Sequence, residues 1–144
     1  MFLDVKKAAH RAASTFGTHD PFRIAKELGY PVLTVPLEGV RGFHLYMKRR
    51  HVIYLSDTLT DWERTWVCAH ELGHALLHNH MNRIYMAHNT LFPTGRYETE
   101  ANRFAACLLY PADLLLSEYE GCSSQQISES LGIPVDLVEY SLKK

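Results

Sequence analysis

Two histidines four residues apart, His70 and His74, enclose a glutamate in the run His70-Glu71-Leu72-Gly73-His74. On a helix, residues four apart project from nearly one face about 5–6 Å apart, so two imidazoles at this spacing can share one divalent ion. Glu71 is turned by roughly 100° from His70. That keeps it off the ion but leaves it able to act as general base on a water held there. A catalytic zinc site needs one more protein ligand and an open position. The favoured third ligand is Glu100, which would share a helical face with Phe104 and Cys107 and so point its carboxylate inward. Glu98 is the alternative, on a different face near a helix start, where an acid also suits the helix dipole.

Nine histidines are many for 144 residues, and His70, His74, His78, His80 and His88 cluster in one stretch. His78 continues the four-residue series, but a third ligand on one straight helix would have to reach back a full turn, so a supporting or capping role is expected. Cys107 lies too far along its helix from Glu100 to bind the same ion and, like Cys68, is read as a core thiol. His80, His88, Tyr46, Tyr85 and Tyr97 remain candidates for oxyanion or substrate contact, and nothing in the sequence ranks them.

These side chains need rigid carriers. Thr60-Asp61-Trp62-Glu63 fits a capping box, which predicts a helix from there to about His78. Val67, Ala69, Leu72, Ala75, Leu76 and Leu77 make that helix apolar on most sides, as a buried, metal-bearing helix requires. Burying two imidazoles and a carboxylate without a cation is costly, which favours a metal over plain hydrogen bonding. A second helix is predicted over Glu98 to Tyr110, with Ala101, Phe104, Ala105, Leu108 and Leu109 on one side and Pro111 ending it. Residues 79–96 between the two read as a loop with room for one short element.

Upstream, an amphipathic helix is expected over Phe2 to Phe16, and a second over Phe22 to Leu28 with Asp20 as cap and Gly29 closing it. Pro31 to Val35 reads as a short edge strand. Phe43 to Met47 and His51 to Leu55 read as a hairpin around Lys48-Arg49-Arg50, a solvated tip. Gln125 to Leu131 and Val135 to Leu142 read as two short helices joined at Gly132. With no internal repeat or composition break, and 47% hydrophobic residues, one domain over residues 1–144 is expected.

Charge and cysteines exclude several classes. A formal net charge of -1 gives no basic excess for nucleic-acid binding. The last two helices superficially resemble a helix-turn-helix pair, yet they carry Glu129, Asp136 and Glu139 and no basic residue before Lys143 and Lys144. No apolar run has signal-peptide or transmembrane length, so no membrane association and a cytoplasmic location are expected. Cys68, Cys107 and Cys122 are an odd number at wide spacing, which suggests reduced thiols rather than disulfides or a cysteine zinc site.

The stretch His70 to His78, followed by Glu98-Thr99-Glu100-Ala101-Asn102-Arg103-Phe104-Ala105-Ala106-Cys107-Leu108-Leu109-Tyr110-Pro111, resembles the ImmA/IrrE family of bacterial and phage metallopeptidases. The strand ending Val52-Ile53-Tyr54-Leu55-Ser56 and the helix start at Leu59 to Glu63 match as well, so the resemblance covers about residues 20–115. It implies an α+β, gluzincin-like zincin domain, with a small antiparallel or mixed sheet packed on the active-site helix and a mostly helical C-terminal half. It also implies one Zn²⁺ held by His70, His74 and Glu100, with Glu71 as catalytic base. The implied activity is site-specific cleavage of a helix-turn-helix repressor encoded nearby, relieving repression in a mobile element, prophage or stress response. Tyr110 departs from the pattern, since a methionine is common before that proline. A non-cleaving antirepressor that retains the metal site is the competing class, and only the fate of the partner separates the two.

Overall fold

A computed structural model describes residues 4–78, 83–86 and 91–143, with backbone alone for 83–86. The N-terminal helices α1 (Val5–Phe16) and α2 (Pro21–Leu28) are capped by Asp4 and Asp20, whose carboxylates accept from the backbone N–H of Lys7 and Phe22. Both end at a left-handed glycine, Gly17 and Gly29. The first helix therefore begins at Val5, after its aspartate cap.

Four strands follow, β1 (Val32–Val35), β2 (Val40–Met47), β3 (Arg50–Ser56) and β4 (Arg83–Met86), in the spatial order β1-β3-β2-β4. β1 runs parallel to β3 and the other pairs are antiparallel, which makes the sheet mixed. The β2–β3 hairpin turns on Lys48 and Arg49 alone, both in the left-handed region with φ of 50° and 64°. Arg50 pairs with Met47 as the first residue of β3. A two-residue turn with both centres left-handed matches the twist of its strands.

The capping box forms: Thr60 Oγ1 accepts from Glu63 N at 3.2 Å and Glu63 Oε1 accepts from Thr60 N at 2.9 Å. It starts α3 (Asp61–Leu77), which lies on the sheet. Gly42 of β2 permits the close approach, because a Cβ there would sit 2.7 Å from the Tyr54 carbonyl oxygen and 2.9 Å from Val67 Cγ1. On its other side α3 meets α4 (Arg96–Leu109). A Cβ on Gly73 would stand 3.1 Å from Cβ and Cδ1 of Phe104, so the α3 backbone there lies directly on the Phe104 side chain of α4. Ile53 and Leu55 from the sheet, Trp66 and Leu72 from α3, and Phe104 and Leu108 from α4 are fully buried in one core.

Three short helices complete the α+β fold: α5 (Ala112–Glu118), α6 (Ser124–Leu131) and α7 (Val135–Leu142). α4 packs against α1, α3 and α7, and Ser141 Oγ of α7 donates to the Tyr110 carbonyl at the end of α4. The strand β4 is the one short element allowed for between residues 79 and 96, the helix α5 adds to the elements expected from the sequence, and α4 begins two residues before Glu98.

Candidate metal centre

Every residue of α3 from Trp66 to Ala75 is buried, because the sheet covers one side and α4 the other. His70 and His74 thus present their rings inside the protein, 4.8 Å apart between centroids and nearly perpendicular at 81°. The first turn of α4 brings Glu98 to both. Its Oε1 lies 2.7 Å from His74 Nε2 and its Oε2 3.3 Å from His70 Nε2. One ligand atom from each of His70, His74 and Glu98 falls within 4.8 Å of the others, a span that an ion with bonds of about 2 Å can bridge.

Glu100, expected from the sequence as third ligand, is not in this group. Two residues along a helix turn a side chain by about 200°, so Glu98 and Glu100 cannot aim at the same pair of imidazoles. The Glu100 carboxylate instead meets His78, Oε1 to Nε2 at 2.8 Å. His78 is the C-cap residue of α3, and its Nδ1 lies 2.9 Å from Nδ1 of His74. The capping position expected for His78 as one alternative to ligation is the one it occupies.

One residue of the centre was not foreseen. Asn102 is buried one turn after Glu98, and its Oδ1 accepts from His70 Nδ1 at 2.9 Å while its Nδ2 donates to the Pro93 carbonyl at 2.9 Å. The bond to Pro93 orients the amide, and the amide then fixes the proton of His70 on Nδ1, leaving Nε2 to face Glu98. The spacing Glu98-x-x-x-Asn102 repeats the four-residue step of His70 and His74, and that was the available signal.

The two acids of the centre are in opposite states. Burial pushes the Glu71 carboxyl well above its ordinary value, and the charge of Glu98 adds to the effect. Burial acts on Glu98 in the same sense, but hydrogen bonds and charge from His70 and His74 outweigh it and hold that carboxyl below the usual carboxylate range. Glu71 is 1% exposed and, among the described residues, neither of its oxygens has a hydrogen-bond partner. Keeping a carboxylate ionised in that condition costs several kcal/mol. A cation and its water would remove the penalty. Two imidazole nitrogens and a carboxylate oxygen form a donor set that zinc accepts, so the residues present fit such an ion.

Of the other candidates, Tyr97 packs edge-on against His78 with centroids 4.9 Å apart, and Tyr46 packs against His51 of the sheet. Cys68 and Cys107 are buried free thiols, as expected for core positions. His80, His88 and the side chain of Tyr85 lie outside the described residues. Among the described residues no helix is long and apolar enough to cross a membrane.

Comparison with known proteins agrees with this picture. The family model for M78 peptidases, described as the IrrE N-terminal-like domain, matches residues 22–143. The chain is 37% identical over 136 residues to a protein named uncharacterized immunity region protein 2 of Bacillus phage phi105, covering 92% of this chain and 85% of the relative. It is 25% identical over 146 aligned positions to metallopeptidase ImmA of Bacillus subtilis strain 168, covering 97% and 85% respectively.

Proposed function

Because the chain belongs to the IrrE N-terminal-like family of M78 peptidases, we propose that it is a zinc-dependent endopeptidase whose substrate is a helix-turn-helix repressor encoded beside it. The observation that carries the reading is Glu71, a carboxylate buried with no hydrogen-bond partner among the described residues, next to the His70, His74 and Glu98 group. A purely structural metal site has no use for such a group, whereas a hydrolytic one needs a base at that place.

His70 and His74, through Nε2, and Glu98, through its carboxylate, would hold the ion. Glu98 thus replaces Glu100 as the third ligand. A bound zinc ion would make a water acidic enough to be deprotonated near neutral pH and would polarise the scissile carbonyl. Glu71 takes the proton of the attacking water, and its raised pKa suits it to release that proton later to the leaving amine. Asn102 keeps the His70 ring in the tautomer whose Nε2 lone pair faces inward. The dry surroundings formed by α3, α4 and the sheet strengthen each of these electrostatic effects.

The choice of substrate rests on the resemblance of the motifs and fits the relatives, one named for a phage immunity region and the other a metallopeptidase. It places the reaction in the cytoplasm, where such a repressor acts. The test is incubation of the zinc-loaded protein with that repressor, beside Glu71→Gln. The wild type should produce one discrete cut, and the variant should retain zinc while losing about 10²–10⁴-fold in rate. Cleavage by Glu71→Gln at the wild-type rate would overturn the role of Glu71, and zinc binding with an intact, tightly held repressor would make the protein a binding antirepressor instead.

A further inference from the structure

His78 ends α3 with φ −130° and ψ 48°, outside the helical region, so its ring leaves the track that His70 and His74 follow. It is buried nonetheless, with its two ring nitrogens at hydrogen-bond distance from His74 Nδ1, 2.9 Å, and Glu100 Oε1, 2.8 Å. Glu100, His78, His74 and Glu98 therefore form one unbroken polar chain, with the candidate ion position at its inner end.

The protons in this chain can be placed from the outer end inward. An ionised carboxylate only accepts hydrogen bonds, so His78 must carry its proton on Nε2 to meet Glu100. A neutral imidazole has one N–H, which leaves His78 Nδ1 as an acceptor. His74 Nδ1 is then the donor across the 2.9 Å gap, and the His74 Nε2 lone pair is left for an ion placed between it and Glu98. The opposite tautomer would set an imidazole lone pair against the Glu100 carboxylate. Without an ion the mirror arrangement, with His74 Nε2–H donating to Glu98 and a His78 lone pair set against Glu100, competes with this one; Glu100 opposes it and so favours the form of His74 that can bind a cation.

We propose that His78 and Glu100 are positioning residues that lock the tautomer and ring orientation of His74 for a divalent cation. This rests on the reading of His70, His74 and Glu98 as a metal centre. It gives each ligand histidine its own support of a different kind. The amide of Asn102 serves His70 without charge. The chain through His78 ends on a carboxylate, and the Tyr97 ring packs edge-on against the intermediate imidazole. Support of this kind typically contributes 10–100-fold to metal affinity.

Zinc affinity of the full-length chain, measured by competition with a chromogenic chelator, tests the proposal together with the visible absorption of the Co²⁺-substituted protein. Glu100→Gln should weaken zinc binding about 10-fold and Glu100→Ala up to about 100-fold, with Glu100→Asp recovering part of the loss. The Co²⁺ spectrum should keep its band positions and intensity in all three, because the donor atoms are unchanged. Glu98→Ala should lose zinc or alter the spectrum outright. If circular dichroism shows that a Glu100 variant fails to fold, His78→Phe, which keeps a ring in the pocket and removes both nitrogens, carries the test with the same expected loss. Wild-type affinity in Glu100→Gln and His78→Phe, with zinc lost from Glu98→Ala, would overturn the positioning role and leave the metal centre standing. A Co²⁺ spectrum altered by Glu100→Ala as by Glu98→Ala would make Glu100 a ligand and overturn it too. Tight zinc in both Glu98→Ala and His70→Ala would instead remove the metal centre itself.

Discussion

The protein packs histidine rings together in two places, buried His44 with half-buried His51 on the sheet and buried His70 with His74 between helices, and the two differ in what surrounds them. On the sheet, His44 of β2 and His51 of β3 stack at 4.9 Å with Nε2 and Nδ1 2.7 Å apart, and Tyr30 and Tyr46 pack on His51 at 4.5 Å. Between α3 and α4, His70 and His74 stand nearly perpendicular and meet an acid. Among the described residues only the second place gathers three possible ligand atoms. Stacked rings share a proton between edges and fit an aromatic core, whereas rings one helical turn apart can converge on a point. Buried imidazoles therefore do not by themselves make a metal site. Convergence, and a carboxylate delivered by a second element, do.

The largest expected effect separates these two places directly. His70→Ala or Glu98→Ala should lose tightly bound zinc, read as metal content after desalting, while His51→Phe should keep one equivalent. A loss of zinc in His51→Phe with the fold intact would mean that the sheet pair belongs to the site. A smaller effect concerns the unpartnered acid. A group whose pKa is raised by folding stabilises the folded state fully below its unfolded pKa and loses that contribution as pH rises through the folded value. Glu71 is such a group in the metal-free protein, so metal-free Glu71→Gln should be more stable than metal-free wild type at neutral pH, and the gap should shrink towards pH 4. About 1 kcal/mol would appear as a Tm difference of roughly 3 °C, and equal melting at both pH values would mean that Glu71 is not desolvated. The smallest effect concerns the thiols. Cys122 is exposed, whereas burial pushes the Cys107 thiol up to about 11 and Cys68 higher still, so one thiol of the native chain should react with an alkylating reagent at pH 8 and all three after denaturation. Rapid native labelling of Cys68 would show that α3 is less closely covered than its burial indicates.

How much of this could be read from the chain depended on whether a local signal existed. The start of α3 is written in its capping box, and the hairpin in two runs of β-branched and aromatic residues. α5 has no such signal. It is seven residues long, Pro111 offers no side-chain cap, and Leu114 and Leu116 are exposed on either side of buried Leu115, so its apolar residues follow no period. β4 draws its definition from pairing with β2, a contact that sequence spacing does not contain. The start of α4 is hidden in the same way, because Gly95 gives it no side-chain cap. That matters for the site: with the first turn starting at Arg96, Glu98 lies inside the helix and one turn before Asn102, on the side that meets His70. The apolar neighbours of Glu100 pointed inward correctly, but inward there led to His78 rather than to His70 and His74.

The division of the candidate ligands between α3 and the first turn of α4 has a consequence for the chain as a polymer. An ion held by His70, His74 and Glu98 would be a cross-link between helices separated in sequence by the whole segment 78–95, whose ligands only the folded chain brings together. Unlike a disulfide, this link is set by mass action, contributing RT ln(1 + [Zn²⁺]/Kd) to stability when the unfolded chain does not bind the ion. The persistence of the folded protein would then rise and fall with the free metal around it.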